Sequence, residues 1–210
     1  MLRKLLVALT QGCYRLSTLG LTKRYSFVRH SMYVRLNELC RPLLPRTGAV
    51  LSISNSNLLS DVIGLENPTI TEANYPAVSM LRLPYADNTF DWVVSDQVLE
   101  HIQGDPQVAI DEVLRVLKPG GYMVHTTCFL IPYHGPGDYW RYSPEGLAHL
   151  CRGASRIVEA SGWGNPFVSF FTFLGFDFAL IPLTRWHPVT WCATYRWPSY
   201  DYVVWVVAQK

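Results

Sequence analysis

Polar and aromatic side chains that can form hydrogen bonds are concentrated in one stretch of the chain, residues 125–142. The stretch overlaps and follows a short apolar run, Tyr122 to Thr127, that predicts a buried strand. Loops at the carboxyl ends of strands commonly carry the binding residues of α/β proteins. We therefore expect four side chains to bind a substrate: His125, Tyr133, Tyr139 and Arg141.

His134 is the candidate catalytic base in this stretch. An imidazole titrates near neutrality, so it can take a proton from a hydroxyl group. The alternative is structural, because His134 and Asp138 could fix the loop through local hydrogen bonds. Arg141 likewise could pair with Asp138 instead of clamping a carboxylate or phosphate.

The residues before this stretch predict the elements that position it. Phe90 to Ser95 is an apolar, β-branched run, which is typical of a strand buried on both faces. A helix should follow, with Asp105 as its N-cap and Pro106 in its first turn. The run Lys118 to Gly121 should end that helix, because its proline breaks the helix and its two glycines can adopt a positive φ. This order of elements predicts half of a doubly wound α/β sheet.

Four segments between residues 83 and 147 resemble class I S-adenosylmethionine-dependent methyltransferases, in the methyltransferase type 11 subgroup related to ubiquinone and menaquinone methyltransferases. They read LPYADNTFD, SDQVLEHI, EVLRVLKPGG and DYWRYSPEGL. The resemblance implies a Rossmann-like α/β sheet of seven strands, the last antiparallel, and S-adenosylmethionine as the cofactor. It also implies a first strand at Val50 to Ile53, a helix at Pro144 to Cys151 and later strands near Ser155 to Ala160 and Tyr202 to Ala208.

The loop after the first strand departs from the family pattern. Family members commonly read V-L-D-x-G-x-G-x-G there, so that the backbone can approach the cofactor closely. Here Val50 to Leu58 has neither the acid nor the glycines. A side chain at a position that needs positive φ costs about 1 kcal/mol or more. The resemblance still places four cofactor-binding residues here: Ser52, Ser54, Asn55 and Ser56.

The resemblance also implies a carboxylate that accepts hydrogen bonds from the cofactor's ribose. Glu72, 20 residues after Ser52, fits that role better than the competing Glu66. Ser79 stands where the family often has an acid that contacts the adenine. The remaining expected cofactor-binding residues are Met80, Ser95, Asp96, Gln97 and His101.

Length, charge and cysteine content indicate the domain organisation and the state of the thiols. A chain of 210 residues fits one α/β domain with terminal additions. Residues 1–46 hold nine Lys and Arg residues but one acid, Glu38, and we expect them to form a basic, helical extension to a domain at 47–210. The five cysteines lack CxxC spacing, which favours reduced thiols in a cytoplasmic protein over disulfides or zinc ligands. We therefore expect no metal site.

The extension and one internal segment bear on membrane contact. Leu2, Leu5, Leu6 and Leu9 recur at helical spacing beside bases, which suits peripheral attachment to a membrane or docking on the domain. Residues 163–200 are expected to form a lid or insertion. Within them, residues 167–183 are nearly uncharged but only marginally long enough to cross a bilayer, so a lid or a buried helix is favoured.

Two functions remain open. The resemblance implies methyl transfer from S-adenosylmethionine to an oxygen of a small molecule, a glycan or a lipid-linked sugar. The alternative is a protein that keeps the fold, has lost catalysis and acts as a binding partner or scaffold. We expect no nucleic-acid substrate, because Ser95 to Val98 replaces the D/N-P-P-Y motif of enzymes that methylate bases.

Overall fold

The computed structural model describes residues 2–210, without the side chains of Leu2 and Arg3. The helices and strands follow one another along the chain in an order that ends on a strand. They are α1 (Leu2–Ser17), β1 (Lys23–Ser26), α2 (His30–Cys40), β2 (Ala49–Ile53), α3 (Asn57–Val62), β3 (Thr69–Ala73), β4 (Phe90–Asp96), a 3-10 helix (Leu99–His101), α4 (Pro106–Val116), β5 (Leu117–Cys128), α5 (Pro144–Leu150), β6 (Arg156–Trp163), α6 (Pro166–Phe173), β7 (Leu180–Pro182), α7 (Pro188–Thr194) and β8 (Val203–Gln209).

The main sheet has the strand order β3-β2-β4-β5-β8-β6. Strands β2 to β5 pair in parallel, whereas β8 lies antiparallel between β5 and β6. The predicted α/β class and the antiparallel last strand are therefore confirmed. The main sheet has six strands in the described chain, where seven were expected. Residues 74–89 form turns with an isolated bridge instead of a further edge strand, because Pro76 and Pro84 remove backbone donors from that stretch.

Helices cover both faces of the sheet. Along β8, Val203, Trp205 and Val207 belong to one apolar cluster, and the alternate residues belong to the other, as the period of a strand requires. Helices α2 and α3 pack on the first face, while α4 and α5 pack on the second. Met32 and Leu36 of α2 are fully buried in the first cluster, so this part of the expected extension shares the core of the domain.

The capping residues of α4 act as predicted. The Asp105 side chain accepts a hydrogen bond from the backbone N–H of Gln107 at 2.9 Å, and Pro106 begins the helix. The helix ends at Val116, and the next residue already belongs to β5. Gly120 has a φ of +79°, as expected. Gly121 instead permits a close approach, since a Cβ there would lie 2.9 Å from the carbonyl oxygen of Asp91.

The N-terminal helix packs on the segment that follows α6. Gln11 donates to the carbonyl oxygen of Gly175, Tyr14 donates to that of Leu180, and β1 pairs antiparallel with β7. The opposite side of α1 remains in solvent, with Leu5, Leu9 and Leu16 each more than half exposed. In the described chain, every helix is too short or too polar to cross a bilayer. The leucine stripe begins at Leu2, whose side chain lies outside the described part.

Candidate functional site

Two adjoining cavities open at the carboxyl ends of the parallel strands. The smaller has a volume of about 580 Å³ and the larger about 850 Å³. Gln97 and His101 line both, so these residues form the wall between them. Crevices at this edge are where open α/β sheets bind ligands, because the strand order reverses there.

The smaller cavity contains five of the predicted cofactor-binding residues. Its remaining walls come largely from apolar side chains that sequence reasoning did not identify, including Val78, Leu81 and Ile102. Tyr139, predicted to bind substrate, also lines this smaller cavity and not the larger one. The five predicted residues are Ser54, Ser79, Met80, Gln97 and His101.

The loop after β2 has a left-handed backbone at two positions although it contains no glycine. Ser54 and Asn55 have φ values of +52° and +61°, both in the left-handed region. Local hydrogen bonds hold this backbone: Ser54 N–H donates to the Ala73 carbonyl at 3.0 Å and Asn55 N–H to the Asn74 side chain at 2.9 Å. Buried Ser56 accepts from the Asp96 N–H at 2.8 Å and so joins the loop to β4. Asn55 and Ser56 therefore shape the loop and do not line the smaller cavity.

The structure separates the two candidate ribose-binding carboxylates. Glu72 lies one residue before the end of β3, at the carboxyl edge of the sheet, beside Ser52 in the pairing register. Asn57 and Asn74 donate hydrogen bonds to its two oxygens, which lowers its pKa. Glu66 precedes β3 at the opposite edge and pairs with Arg46 at 2.8 Å. Of the two, only Glu72 lies near the loop after β2.

Three predicted site residues lie inside the core. Ser52, Ser95 and His125 are fully buried. Ser95 and His125 form a hydrogen bond of 2.7 Å between neighbouring strands, and burial lowers the pKa of His125 to about 3. The expectation that His125 binds substrate is wrong, because its alternate position along β5 turns it into the sheet's packing and away from the cavities. Ser52 of β2 and Ser95 of β4, which were expected to contact the cofactor, are also enclosed in the sheet and line neither cavity.

Asp96 lines the larger cavity and not the smaller one. Its carboxylate accepts hydrogen bonds from Arg29, Tyr33 and Thr126. Gln97 follows with a φ of +58° and donates from its backbone to the Thr126 carbonyl at 3.0 Å. The end of β4 is therefore held by Arg29 and Tyr33 from the N-terminal part of the chain and by Thr126 of β5.

The larger cavity combines the polar loop with the segment after β6. Tyr133 and His134 line it, as predicted for a substrate site, together with Phe173 and Phe178. Helix α6 was expected to be buried or to form a lid. Only Val168 of it is fully buried, and Phe167 and Phe170 are 42% and 57% exposed.

Histidines from two loops meet at the wall of the larger cavity. The His101 Nδ1 lies 2.7 Å from the carbonyl oxygen of Gly137, and the His134 Nδ1 lies 3.2 Å from the Asp138 carboxylate. The Nε2 atoms of the two rings are 3.5 Å apart. Buried Glu100 lies beside them, accepts from Thr127 at 2.9 Å and has its pKa raised by burial. Sequence reasoning missed Glu100, although it precedes His101 in the same motif.

Arg141 fixes the polar loop. It donates to both carboxylate oxygens of Asp138 and to the carbonyl oxygens of Ile131 and Trp140. These hydrogen bonds hold the pKa of Asp138 at about 2. Of the two roles considered for Arg141, the geometry shows the pairing with Asp138, and substrate binding by Arg141 stays a prediction.

Comparison with known proteins agrees with this architecture. Residues 40–125 match the family model described as a methyltransferase domain. An uncharacterized methyltransferase of Schizosaccharomyces pombe is 46% identical over 59 residues, which cover 28% of this chain and 21% of the relative. An uncharacterized methyltransferase of Mycobacterium tuberculosis is 36% identical over 88 residues, which cover 40% and 32% of the two chains. The match to the methyltransferase family thus extends over about two fifths of the chain.

Two solved structures share the fold of this chain. The [4+2]-cyclase SpnF aligns with a TM-score of 0.58 and 18% identity over 91% of this chain and 84% of its own. The MccD protein aligns with a TM-score of 0.51 and 13% identity over 87% and 98%. At these identities the likeness shows the fold alone. The chain spans only about a fifth to a third of the curated relatives named above, so its chemistry must be argued from its own site.

Proposed function

We propose that this protein is an S-adenosylmethionine-dependent methyltransferase that methylates a hydroxyl oxygen of a small molecule, a glycan or a lipid-linked sugar. The observation that carries the proposal is the pair of cavities that meet at Gln97 and His101. A cofactor in the smaller cavity and an acceptor in the larger would face each other across this wall. Methyl transfer needs little more than such alignment of the two reactants.

The smaller cavity fits the cofactor in size and in backbone shape. Its volume of about 580 Å³ lies within the range of small-molecule sites. The left-handed backbone at Ser54 and Asn55 supplies the turn that glycines supply elsewhere in the family. Ser54 and Met80 would hold the cofactor in the cavity, with Glu72 at its edge for the ribose hydroxyls. S-adenosylmethionine, when bound, supplies an activated methyl group.

His134 is the proposed base for the acceptor hydroxyl. The Asp138 carboxylate can only accept a hydrogen bond, so it orients His134 with the proton on Nδ1. The Nε2 atom then carries the lone pair, on a ring that lines the larger cavity. A hydroxyl bound there could transfer its proton to His134 as its oxygen attacks the methyl group.

We further propose that the protein is cytoplasmic and binds the surface of anionic membranes without crossing them. Helix α1 exposes leucines on one side and packs with its other side on the segment after α6, where Phe178 is 81% exposed, and Trp186 farther along the chain is 93% exposed. Lys4, Arg15 and Arg24 supply charge around these apolar groups. Since Phe178 also lines the larger cavity, a membrane-bound acceptor would have a short path to the site.

One observation favours the alternative of a scaffold without catalysis. Both oxygens of Glu72 already accept hydrogen bonds from Asn57 and Asn74. Ribose hydroxyls would have to displace or share these donors, at a cost in affinity. Cofactor binding is therefore proposed to be weaker than in relatives that keep the glycine loop.

A transfer assay tests the proposal. The protein is incubated with S-adenosylmethionine labelled in the methyl group and with amphiphilic glycans, and labelled product is measured. We expect transfer by the natural protein and a decrease in kcat of about 10² or more in His134→Gln, as for loss of a general base. His149→Gln, at an exposed position on α5, is the matched control. Cofactor binding without transfer to any acceptor class would support the scaffold instead.

A further inference from the structure

His101, His134 and Glu100 form a compact group of potential metal ligands. One ligand atom from each residue lies within 4.8 Å of the other two. The two rings are perpendicular, with centroids 5.2 Å apart and Nε2 atoms 3.5 Å apart. Both rings are exposed to the larger cavity, while Glu100 is buried at its wall.

A hydrogen bond behind His101 and a carboxylate 3.2 Å behind His134 favour a proton on Nδ1 of each ring. His101 Nδ1 faces a backbone carbonyl oxygen, and His134 Nδ1 faces a carboxylate. Both partners are acceptors only, so each Nδ1 must carry a hydrogen. If both rings are neutral, each Nε2 atom carries a lone pair, and the two lone pairs are directed into the same small space. Two such atoms cannot hydrogen-bond each other, so the arrangement calls for a cation between them.

We propose that Glu100, His101 and His134 bind a divalent transition metal ion such as Zn²⁺. Two nitrogens bound to one tetrahedral zinc ion lie about 3.3 Å apart, given Zn–N distances of about 2.0–2.1 Å. The observed separation of 3.5 Å is close to that value. A carboxylate and a backbone carbonyl behind ligating histidines are the supports that metal sites commonly use to fix the tautomer and ring orientation.

The type of metal follows from the donor atoms. Imidazole nitrogens suit zinc and its neighbours in the first transition row, whereas magnesium and calcium prefer oxygen ligands throughout. A set of two histidines and one glutamate leaves at least one coordination position open. That position would face the larger cavity, where an oxygen of a small ligand could occupy it. The sequence pattern did not indicate this site. Its ligands include no cysteine, and its two histidines are separated by 33 positions.

Metal binding at this site does not require the cofactor, but it would change the role of His134 in the proposed methyl transfer. With an ion bound, Nε2 of His134 would be a ligand and no longer a base. The ion would then lower the pKa of a bound hydroxyl and so take over the role proposed for His134.

Titration with metal ions in the absence of cofactor tests the inference. Untagged, chelator-treated full-length protein is titrated with Zn²⁺ by calorimetry and with Co²⁺ by visible absorption, which reports the coordination of the ion. We expect saturable binding of one ion per chain. We expect affinity to fall by about tenfold or more in His134→Gln and in His101→Gln, and to stay unchanged in His149→Gln. Circular dichroism checks that each variant is folded.

Two outcomes would overturn the inference. Absence of saturable Zn²⁺ binding would mean that a proton on one ring bridges the pair instead of a metal. Equal affinities in the natural protein and in folded His134→Gln would place the ion elsewhere. Neither result would change the measured affinity for S-adenosylmethionine, so failure of this site and failure of the proposed function are distinguishable.

Discussion

At the scale of single residues, neighbouring positions along one strand have different surroundings. His125 is enclosed between β4 and β8, where Ser95 is its hydrogen-bond partner and its Nε2 has none. Thr126, the next residue, instead donates to the carboxylate of Asp96 at the cavity wall. A polar residue at a strand end is therefore a site residue only if its side of the strand faces the cavity. The residue types alone did not reveal which side that is.

His125 should make the protein sensitive to acid. The unfolded chain binds a proton at this residue near pH 6.5, but the folded protein does so only near its lowered pKa of about 3. Its contribution to stability is thus fully present above pH 6.5 and is lost as the pH falls toward 3. At about 1.4 kcal/mol per pH unit, the loss from pH 7.5 to pH 5 is about 2 kcal/mol.

Denaturant unfolding at both pH values measures this contribution. His125→Asn should lose about 2 kcal/mol less than the natural protein over the same interval, whatever its starting stability. His149→Gln, at an exposed position, should match the natural protein. Equal losses in the natural protein and in His125→Asn would show that His125 is not held neutral in the folded state.

Glu72 is the second residue whose role can be isolated. If it accepts hydrogen bonds from the ribose, Glu72→Ala should weaken binding of S-adenosylmethionine by about tenfold to a hundredfold, as for lost hydrogen bonds to a charged group. Glu66→Ala is the matched control, because Glu66 pairs with Arg46 at the other edge of the sheet. Calorimetric titration of both variants decides between them, and the reverse order of effects would move the ribose site to Glu66.

At the scale of elements, the N-terminal helix shows what periodicity can and cannot predict. The leucine spacing correctly predicts a helix with an apolar side. It left open whether this side docks on the domain or attaches to a membrane, and the contacts of α1 with the domain are made by Gln11 and Tyr14 on another side. The partner segment around Gly175 is more than 150 residues away, so no local pattern could have identified it. Docking and an exposed leucine stripe therefore coexist.

The exposed side of α1 should attach the protein to anionic vesicles. Each base near such a surface contributes about 1 kcal/mol, and the leucines add apolar contact. We expect co-sedimentation with acidic lipid at low salt and release at high salt. The double change Leu9→Glu and Leu16→Glu should abolish binding without touching the docked side. Val108→Glu, at an exposed apolar position on α4, should leave binding intact.

Deletion of residues 1–24 provides a second comparison, although it also removes half of β1. Equal sedimentation of the natural protein and of the double leucine variant would contradict the attachment. The helix would then serve only to pack against the segment around Gly175 and Leu180.

At the scale of the whole molecule, the fold was largely predictable and the site only in part. Strong local patterns, such as the capped α4 and the apolar run of β4, place the sheet and its carboxyl edge. The walls of the cavities come instead from distant segments, including Arg29 before α2 and Phe178 after α6. These segments meet only through tertiary packing, which cannot be predicted from the local pattern of residues.

Calorimetric titration of the full chain with S-adenosylmethionine, and with its demethylated product, tests the central claim most directly. We predict binding in the micromolar to submillimolar range, because the loop at Ser54 and Asn55 keeps the required backbone turn while Glu72 is already hydrogen-bonded. Ligand at 100 times its Kd should stabilise the folded protein by about 2.7 kcal/mol and raise Tm. The absence of both a heat of binding and a change in Tm at millimolar ligand would contradict the account. The scaffold function would then be the remaining proposal.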